Sequence, residues 1–206
     1  FLSSGHYPFD DRIFYHLGKT LSDNGYKVQI VSSKTELKDV VEEISLNCFE
    51  GDDLTKSHKI KQFVECLEDF KPRVIICSEP LPLIAAKKYS VKHPGETRII
   101  YDITEWYPSN KNLILFKPVA RPVIFLKLLV LNIFATRLTD AFIFGEWYKS
   151  KPYRLLFPKK PYTFVTYYPD LKYLRYNEPS LADGRLRLSY SGKISLEKGF
   201  DNFIGV

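Results

Sequence analysis

The sequence predicts an α/β domain built on a doubly wound, parallel β-sheet. Short apolar runs alternate with segments long enough to form helices, and this alternation is typical of βαβ units. Three of the runs, RVIICS, TRIIYD and DAFIFG, are almost continuously hydrophobic, as strands covered on both faces are. A hydrophobic content of 45% beside 26% charged residues indicates a folded domain with a core.

The elements are predicted in chain order from these patterns. The strands are expected at 1–4, 27–33, 44–49, 73–78, 97–102, 140–145 and 162–166. A first helix is expected from Asp10 or Asp11 to about Asn24, because Ile13, Phe14 and later apolar residues recur at helical spacing. Further helices are expected at 57–70, around 83–86 and at 119–137. Right-handed crossovers between the strands make the sheet doubly wound.

Domain organisation follows from composition and from the last segment. Residues 1–180 are predicted as one domain, and 181–206 as a linker with the first strand and helix start of a second domain. The chain begins with Phe1 and contains no Met, so we expect a fragment.

The three cysteines (Cys48, Cys66 and Cys77) contain no C-x-x-C pair, which favours buried, reduced thiols in a cytoplasmic protein. The histidines have no helix-spaced ligand partners, so no metal is expected. The net charge of +6 would attract membranes, phosphates or nucleic acids. No recognition motif for nucleic acid is present, and none is expected as a partner.

The loop after the first strand is the first candidate site, because ligands of open α/β sheets bind beyond the carboxyl ends of the strands. Its letters, SSGHYPFDDR, include Gly5, His6, Asp10, Asp11 and Arg12. A turn followed by a helix cap accounts for the glycine and one aspartate. It accounts less well for the histidine and for two acids followed by a base. The loop lacks the G-x-G-x-x-G pattern, so a dehydrogenase-type dinucleotide is not expected.

Two further strand ends carry polar residues. Asp102 closes a strand, and Thr104, Glu105 and Trp106 follow it. Carboxylates there would accept hydrogen bonds from sugar hydroxyls, although Asp102 would equally cap local backbone N–H groups. Near the end of the chain, LSYSGKISLEKGF indicates a strand, a glycine turn with two lysines, and a helix start, which together suit a phosphate.

The helix at 119–137 is apolar around most of its circumference. Its uninterrupted apolar runs fall short of the roughly 20 residues needed to cross a bilayer. We favour a helix packed between the sheet and its neighbours, and an interfacial helix beside anionic headgroups is the alternative. A basic cluster at 149–160 would contribute to a peripheral membrane contact, although a solvated face explains it too. The cluster comprises Lys149, Lys151, Arg154, Lys159 and Lys160.

Taken together, these segments resemble the retaining glycosyltransferases of the GT-B type, whose two domains are Rossmann-like, and within them the large family 4. Five segments carry the resemblance in the family's order: HYPFDDRIFYHLGKTLSDNGYKVQIVSS, PRVIICSEPLPLIAAKK, IIYDITEWYP, TYYPDL and LSYSGKISLEKGF. The chain would then be the N-terminal, acceptor-side half of such a fold with the start of the donor domain.

The resemblance implies transfer of a sugar, of the hexosyltransferase type, from a nucleotide-diphosphate sugar to an acceptor hydroxyl, without a metal or other cofactor. Gly5 and His6 match the loop that approaches the donor diphosphate, and Lys193 and Lys198 match the basic pair that neutralises it. The acceptor would be a glycan or a lipid-linked sugar in polysaccharide or glycolipid synthesis, at the cytoplasmic face of a membrane.

The resemblance also points to an acceptor or sugar-binding group made of Asp10, Arg12, Asp102, Thr104 and Glu105, with Glu105 as the catalytic candidate. Thr104 stands where the family has a sugar-contacting histidine, so that histidine's role cannot be carried over. The family's later pair of glutamates is absent from the chain, and the fragment is expected to be inactive alone. The alternative is a non-catalytic phosphate-binding or protein-partner domain on the same sheet.

Overall fold

Eight strands form one sheet in the computed structural model, which describes residues 1–104, 108–109 and 113–167 of the chain. The strands are β1 (Leu2–Ser3), β2 (Val28–Ser32), β3 (Lys34–Val41), β4 (Ile44–Glu50), β5 (Val74–Cys77), β6 (Arg98–Ile103), β7 (Ala141–Phe144) and β8 (Tyr162–Phe164). Their order across the sheet is β3-β4-β2-β1-β5-β6-β7-β8. Neighbours pair in parallel, except β3 and β4, so the predicted α/β class is confirmed.

Helices connect the parallel strands. A π-helical segment (Asp11–Gly18) continues into α1 (Lys19–Asp23), and it is followed along the chain by α2 (Lys56–Phe70), α3 (Pro80–Lys92), a 3-10 turn (Pro118–Ala120) with α4 (Arg121–Arg137), and α5 (Trp147–Leu156). The first helix begins where the sequence predicts, because the Asp10 side chain accepts hydrogen bonds from the N–H groups of Arg12 and Ile13.

The core has two parts, one on each face of the sheet. In β2, Val31 belongs to the larger cluster and Ile30 to the smaller one, since successive side chains of a strand point to opposite faces. The larger cluster includes Phe63 of α2 and Leu83 of α3. The smaller one is closed by Ile13 and Phe14 of the first helix. Helices therefore cover both faces, as the doubly wound arrangement requires.

Strand β3 corrects the expectation of a wholly parallel sheet. It runs antiparallel to β4, with Val41 paired to Ile44 across a turn formed by Glu42 and Glu43. Both glutamates have positive φ angles, 50° and 65°. Such two-residue turns favour Asn-Gly or Asp-Gly, so the glutamates conceal the hairpin in the sequence.

Helix α5 overlaps the basic cluster of 149–160, where the sequence predicts no helix. Its Pro152 lies inside the helix, and proline normally ends or kinks helices, which explains why the pattern does not indicate one. The predicted domain boundary near residue 180 lies outside the described residues, as does the start of the second domain at 181–206.

Helix α4 is not packed between the sheet and its neighbours, contrary to the interpretation favoured from the sequence. In an 18-residue window of Pro118–Arg137 only 17% is buried, although the mean hydropathy is 1.8. Its length and composition would suffice to cross a membrane.

The cysteines are free thiols in the structure, with Cys48 and Cys77 buried, as predicted, and Cys66 only partly buried. Burial raises the pKa of the Cys66 thiol to about 11 and raises that of Cys77 as well. These thiols stay protonated at neutral pH, which fits a packing role.

Candidate functional site

The loop after β1 wraps around a carboxylate. The backbone N–H of Ser4 donates to Oε2 of Glu79 at 2.9 Å, and the N–H of Gly5 donates to Oε1 at 3.1 Å. The hydroxyl of Ser3 donates to the same Oε1 at 3.0 Å. Glu79 lies two residues after the end of β5, the neighbour of β1. Two strand ends at the carboxyl edge thus form a ring of donors around one anionic group.

Glu79 is largely shielded from water, with 12% of its side chain exposed. Burial raises the pKa of this carboxyl, and the hydrogen bonds from Ser4, Ser3 and Gly5, with the nearby His6, offset only part of the rise. The absence of a side chain at Gly5 is what allows this approach, since a Cβ there would lie 2.9 Å from Oε1 of Glu79. The loop is therefore shaped for close contact with an oxyanion.

His6 links this ring to the start of the first helix. Its Nδ1 lies 2.7 Å from Oδ2 of Asp10, and its Nε2 lies 3.5 Å from Oε1 of Glu79. Its backbone carbonyl accepts a hydrogen bond from the Ser32 hydroxyl at 2.6 Å. About a third of the His6 side chain is exposed (33%), so the imidazole stands between two carboxylates with one side open to solvent.

Asp10 has two roles, as helix cap and as partner of His6. Burial alone would raise its pKa, but the hydrogen bond with His6 and those from the N–H groups of Ile13 and Arg12 hold the pKa below its ordinary value. The carboxylate is therefore negative at neutral pH. Two of the predicted site residues, His6 and Asp10, are in direct contact.

Arg12 and Asp102 form a buried ion pair beside this group. Nε and Nη2 of Arg12 each donate to one carboxylate oxygen of Asp102 at 2.7 Å, and both side chains are 1% exposed. Nη1 donates to the carbonyl of Val165 at 2.8 Å. From the sequence, both residues are expected to contact a sugar. Because they are buried and bound to each other, we assign them a structural role instead.

Tyr167 lies over the ion pair, with its ring centroid 4.9 Å from Cζ of Arg12. Burial raises the pKa of the Tyr167 hydroxyl, although the positive charge of Arg12 opposes this. A Cβ at Gly145, after β7, would lie 3.4 Å from the Tyr167 ring and 3.7 Å from Nη1 of Arg12. The ends of β6, β7 and β8 thus converge on the guanidinium.

The other predicted residues are only partly described. Thr104 follows β6, and its carbonyl accepts a hydrogen bond from Nζ of Lys149 at 2.5 Å. Glu105, Lys193 and Lys198 lie outside the described residues. So does the Pro169-Asp170 pair of the TYYPDL segment.

The basic cluster of 149–160 is largely engaged within the domain, which corrects its interpretation as a free charged surface. Lys149 bonds to Thr104, and the Arg154 guanidinium stacks on the rings of Trp147 and Tyr162 at 5.0 and 4.9 Å. Lys160 donates to backbone carbonyls at the end of α4.

Glu79 is the member of the candidate site that the sequence alone does not indicate. The available signal was its position, an acid directly after the buried run RVIICS, at the edge where such sheets bind ligands.

Within the described ranges, no three His, Cys, Asp or Glu side chains are grouped so as to hold a metal ion. A cavity of about 930 Å³ opens instead near the amino ends of the strands, beside Lys27, Arg73 and Arg98. The ring around Glu79 remains our candidate, because it lies at the carboxyl edge of the sheet, where open α/β sheets bind their ligands.

Comparison with known proteins rests on structure. No protein-family model and no curated protein matches the sequence. A sucrose-phosphate synthase from Thermosynechococcus elongatus matches with a TM-score of 0.55 and 11% identity, over 82% of this chain and 45% of that one. This chain has a glycosyltransferase-like fold.

The similarity is to a GT-B glycosyltransferase domain, which confirms the expected GT-B-like architecture. Identity of 11% shows the fold alone. The chain spans less than half the length of the synthase, 45%, so the activity of the whole protein is a matter for proposal.

Proposed function

We propose that this chain is the acceptor-side part of a glycosyltransferase that transfers a sugar from a nucleotide-diphosphate sugar to an acceptor hydroxyl. One observation carries the proposal: the N–H groups of Ser4 and Gly5 converge on a carboxylate at the carboxyl edge of the central strand. A loop whose N–H groups bind a carboxylate so closely can also bind a phosphate oxygen, and we propose a donor phosphate as its ligand.

The donor diphosphate would lie against this loop, and His6 would border it. The imidazole contacts Asp10 and Glu79 and is one-third exposed (33%), so it borders the surface that a donor would approach. Glu79 and the diphosphate would compete for the same N–H groups. Donor binding therefore includes a shift of the Glu79 side chain or its protonation, which its raised pKa favours.

Several finer features belong to the same proposal. Transfer proceeds with retention of configuration and without a metal, and Lys193 and Lys198 neutralise the departing nucleoside diphosphate. Glu105 contacts the transferred sugar or the acceptor. The acceptor is a glycan or lipid-linked sugar in polysaccharide or glycolipid synthesis.

The test is release of nucleoside diphosphate by the full-length protein. A panel of UDP-, GDP-, ADP- and dTDP-sugars is offered with and without lipid-linked and soluble glycan acceptors. We expect release with one nucleotide class, dependent on an acceptor. No release from any donor would contradict the proposal. Binding of a nucleotide sugar without turnover would favour the non-catalytic phosphate-binding alternative.

A further inference from the structure

Helix α4 buries polar side chains and exposes apolar ones, the reverse of the helices of a water-soluble domain. Its buried residues are Asn132, Ala135 and Thr136, two of them polar. The Asn132 side chain accepts a hydrogen bond from the Tyr153 hydroxyl at 3.2 Å, so polar contacts hold the helix to the domain. Most of its large apolar side chains face outward instead. An amphipathic helix in water buries the opposite set.

The outward face is a continuous apolar stripe. Val123, Leu126, Val130 and Phe134 recur at spacings of three or four residues, which places them on one side of the helix. Their exposed fractions are 69%, 60%, 58% and 51%. The turn before α4 extends the apolar surface with Val119, 91% exposed, and Leu115, 81% exposed. We call the surface formed by these six apolar side chains the α4 stripe.

The charged residues of the segment that carries the α4 stripe are all basic. Between Glu105 and Asp140 the sequence contains no acidic residue, but it contains five basic ones, Lys111, Lys117, Arg121, Lys127 and Arg137. Lys127 and Arg137 lie on the same outward side of the helix, and both are exposed. Apolar side chains flanked by cations suit a surface that is apolar beneath and anionic on top.

The topology decides how such a helix meets a membrane. Strands β6 and β7, which precede and follow α4, pair directly in parallel, with Tyr101 opposite Phe142. The connection between them must run back along the domain, and its C-terminal half is held there by Asn132 and Thr136. Crossing a bilayer would separate paired strands. A contact between this helix and a membrane would therefore be in the interface plane rather than a span across the bilayer.

A second copy of the chain is the less suitable occupant. Two α4 stripes placed face to face would bring their lysines and arginines together without any acidic residue between 106 and 139 to pair with them. An anionic lipid surface offers the opposite charge and an apolar layer at once.

We propose that the α4 stripe docks this protein on the surface of an anionic membrane, with Leu126, Val130 and Phe134 inserted among the acyl chains and Lys127 at the headgroups. This inference does not depend on the proposed sugar transfer. It concerns a different surface and stands even where no donor binds.

The experiment is co-sedimentation with vesicles of phosphatidylcholine, with and without phosphatidylglycerol. We expect binding to the anionic vesicles, weakened by salt and much weaker without phosphatidylglycerol. The double variant L126Q/V130Q should lower the partition coefficient about tenfold or more, because two apolar side chains no longer leave water. K127Q should lower it about fivefold, the effect of one cation near the surface.

Matched controls use equally exposed residues elsewhere. V40Q/V91Q changes two valines that are 67% and 66% exposed, and K56Q removes another exposed lysine. Both controls should bind like the original protein, and urea unfolding should show that all variants fold.

Three results would overturn the proposal. One is no binding to anionic vesicles at low salt, and another is equal binding by L126Q/V130Q and the original protein. The third is a dimer in sedimentation velocity that L126Q/V130Q dissociates, because the stripe would then join two copies.

Discussion

The guanidinium of Arg12 and the carboxylate of Asp102, separated by 90 residues in sequence, are joined by two hydrogen bonds of 2.7 Å in the interior. Arg12 lies in the first helical segment and Asp102 in β6, so the pair ties the connection after β1 to a strand two positions away in the sheet. The third contact of Arg12, to the Val165 carbonyl, adds the segment after β8. The pair therefore sets the spacing of the strand ends beside the candidate site.

Breaking this pair should strongly destabilise the domain. We expect Asp102→Asn to lower the free energy of unfolding by about 3–5 kcal/mol, because it leaves a buried guanidinium without its counter-charge. Urea unfolding followed by circular dichroism measures the change. Replacing both residues by apolar ones, as in R12M/D102L, should cost less than D102N alone.

The control is an exposed ion pair of the same kind. Lys61 and Glu65 lie 3.6 Å apart with 74% and 59% of their side chains exposed. E65Q should leave the urea midpoint nearly unchanged, since solvent screens such pairs. A similar effect of D102N and E65Q would contradict the structural role of the buried pair.

The contact between His6 and Asp10 should be visible in a titration. His6→Ala removes the largest contribution that lowers the pKa of Asp10, so this pKa should rise toward its ordinary value, 3.8. The hydrogen bonds from the N–H groups of Ile13 and Arg12 remain, and the return should be partial. Carbon-13 NMR of the labelled carboxyl measures it.

The sign of the accompanying pH effect follows from linkage. A lowered pKa contributes stability that is present above the ordinary value, 3.8, and lost as the pH falls through the folded-state value. As the pH falls, the free energy of unfolding should therefore decrease less in H6A than in the original protein. H58A, which removes a histidine that contacts Thr55, is the control and should leave the Asp10 titration unchanged. An unshifted Asp10 in H6A would exclude the contact in solution.

Glu79 should compete with anions for the loop after β1. We expect Glu79→Gln to raise the affinity for pyrophosphate about fivefold to tenfold, because a neutral amide holds the N–H groups of Ser4 and Gly5 less strongly than a carboxylate does. Isothermal titration calorimetry measures it. E68Q is the matched control, since Glu68 accepts hydrogen bonds from His93 and Lys92 rather than from the loop. Weaker pyrophosphate binding by E79Q would count against the loop as an anion site.

Lys160 should stabilise the end of α4. Its ammonium donates to the carbonyls of Thr136 and Thr139, the latter at 2.5 Å, where the helix dipole is negative. Burial lowers the pKa of this lysine, yet it keeps these acceptors. We expect Lys160→Met to lower the free energy of unfolding by about 1–2 kcal/mol in urea melts. The neighbouring exposed Lys159, changed to Met, is the control. Equal effects of the two variants would argue against the cap.

The sequence predicts most of the fold because its signals are local. Continuous apolar runs identify β5, β6 and β7, and the spacing of Ile13 and Phe14 with Asp10 before them identifies the first helix and its start. Elements with a misleading local signal are missed. Glu42 and Glu43 form a turn that usually takes glycine, and Pro152 lies within a helix.

The candidate site divides in the same way. That Gly5 and His6 follow a strand, and Asp102 another, could be predicted from chain order alone. The residues that they contact could not be predicted in this way, because Glu79 is 74 residues from Gly5 and Asp102 is 90 residues from Arg12. The outward direction of the α4 stripe is likewise invisible in an all-apolar helix, which has no polar face to mark the solvent side.

By itself, then, the sequence determined the parallel α/β layout, the capped first helix and the strand ends that carry polar residues. Only the tertiary structure decided that Glu79 binds the N–H groups of the loop after β1 and that Arg12 and Asp102 neutralise each other in the interior. It also decided that the apolar side chains of α4 face outward. The physical reason is range: periodicity and capping act within a few residues, whereas burial and charge pairing depend on which distant segments the sheet order brings together.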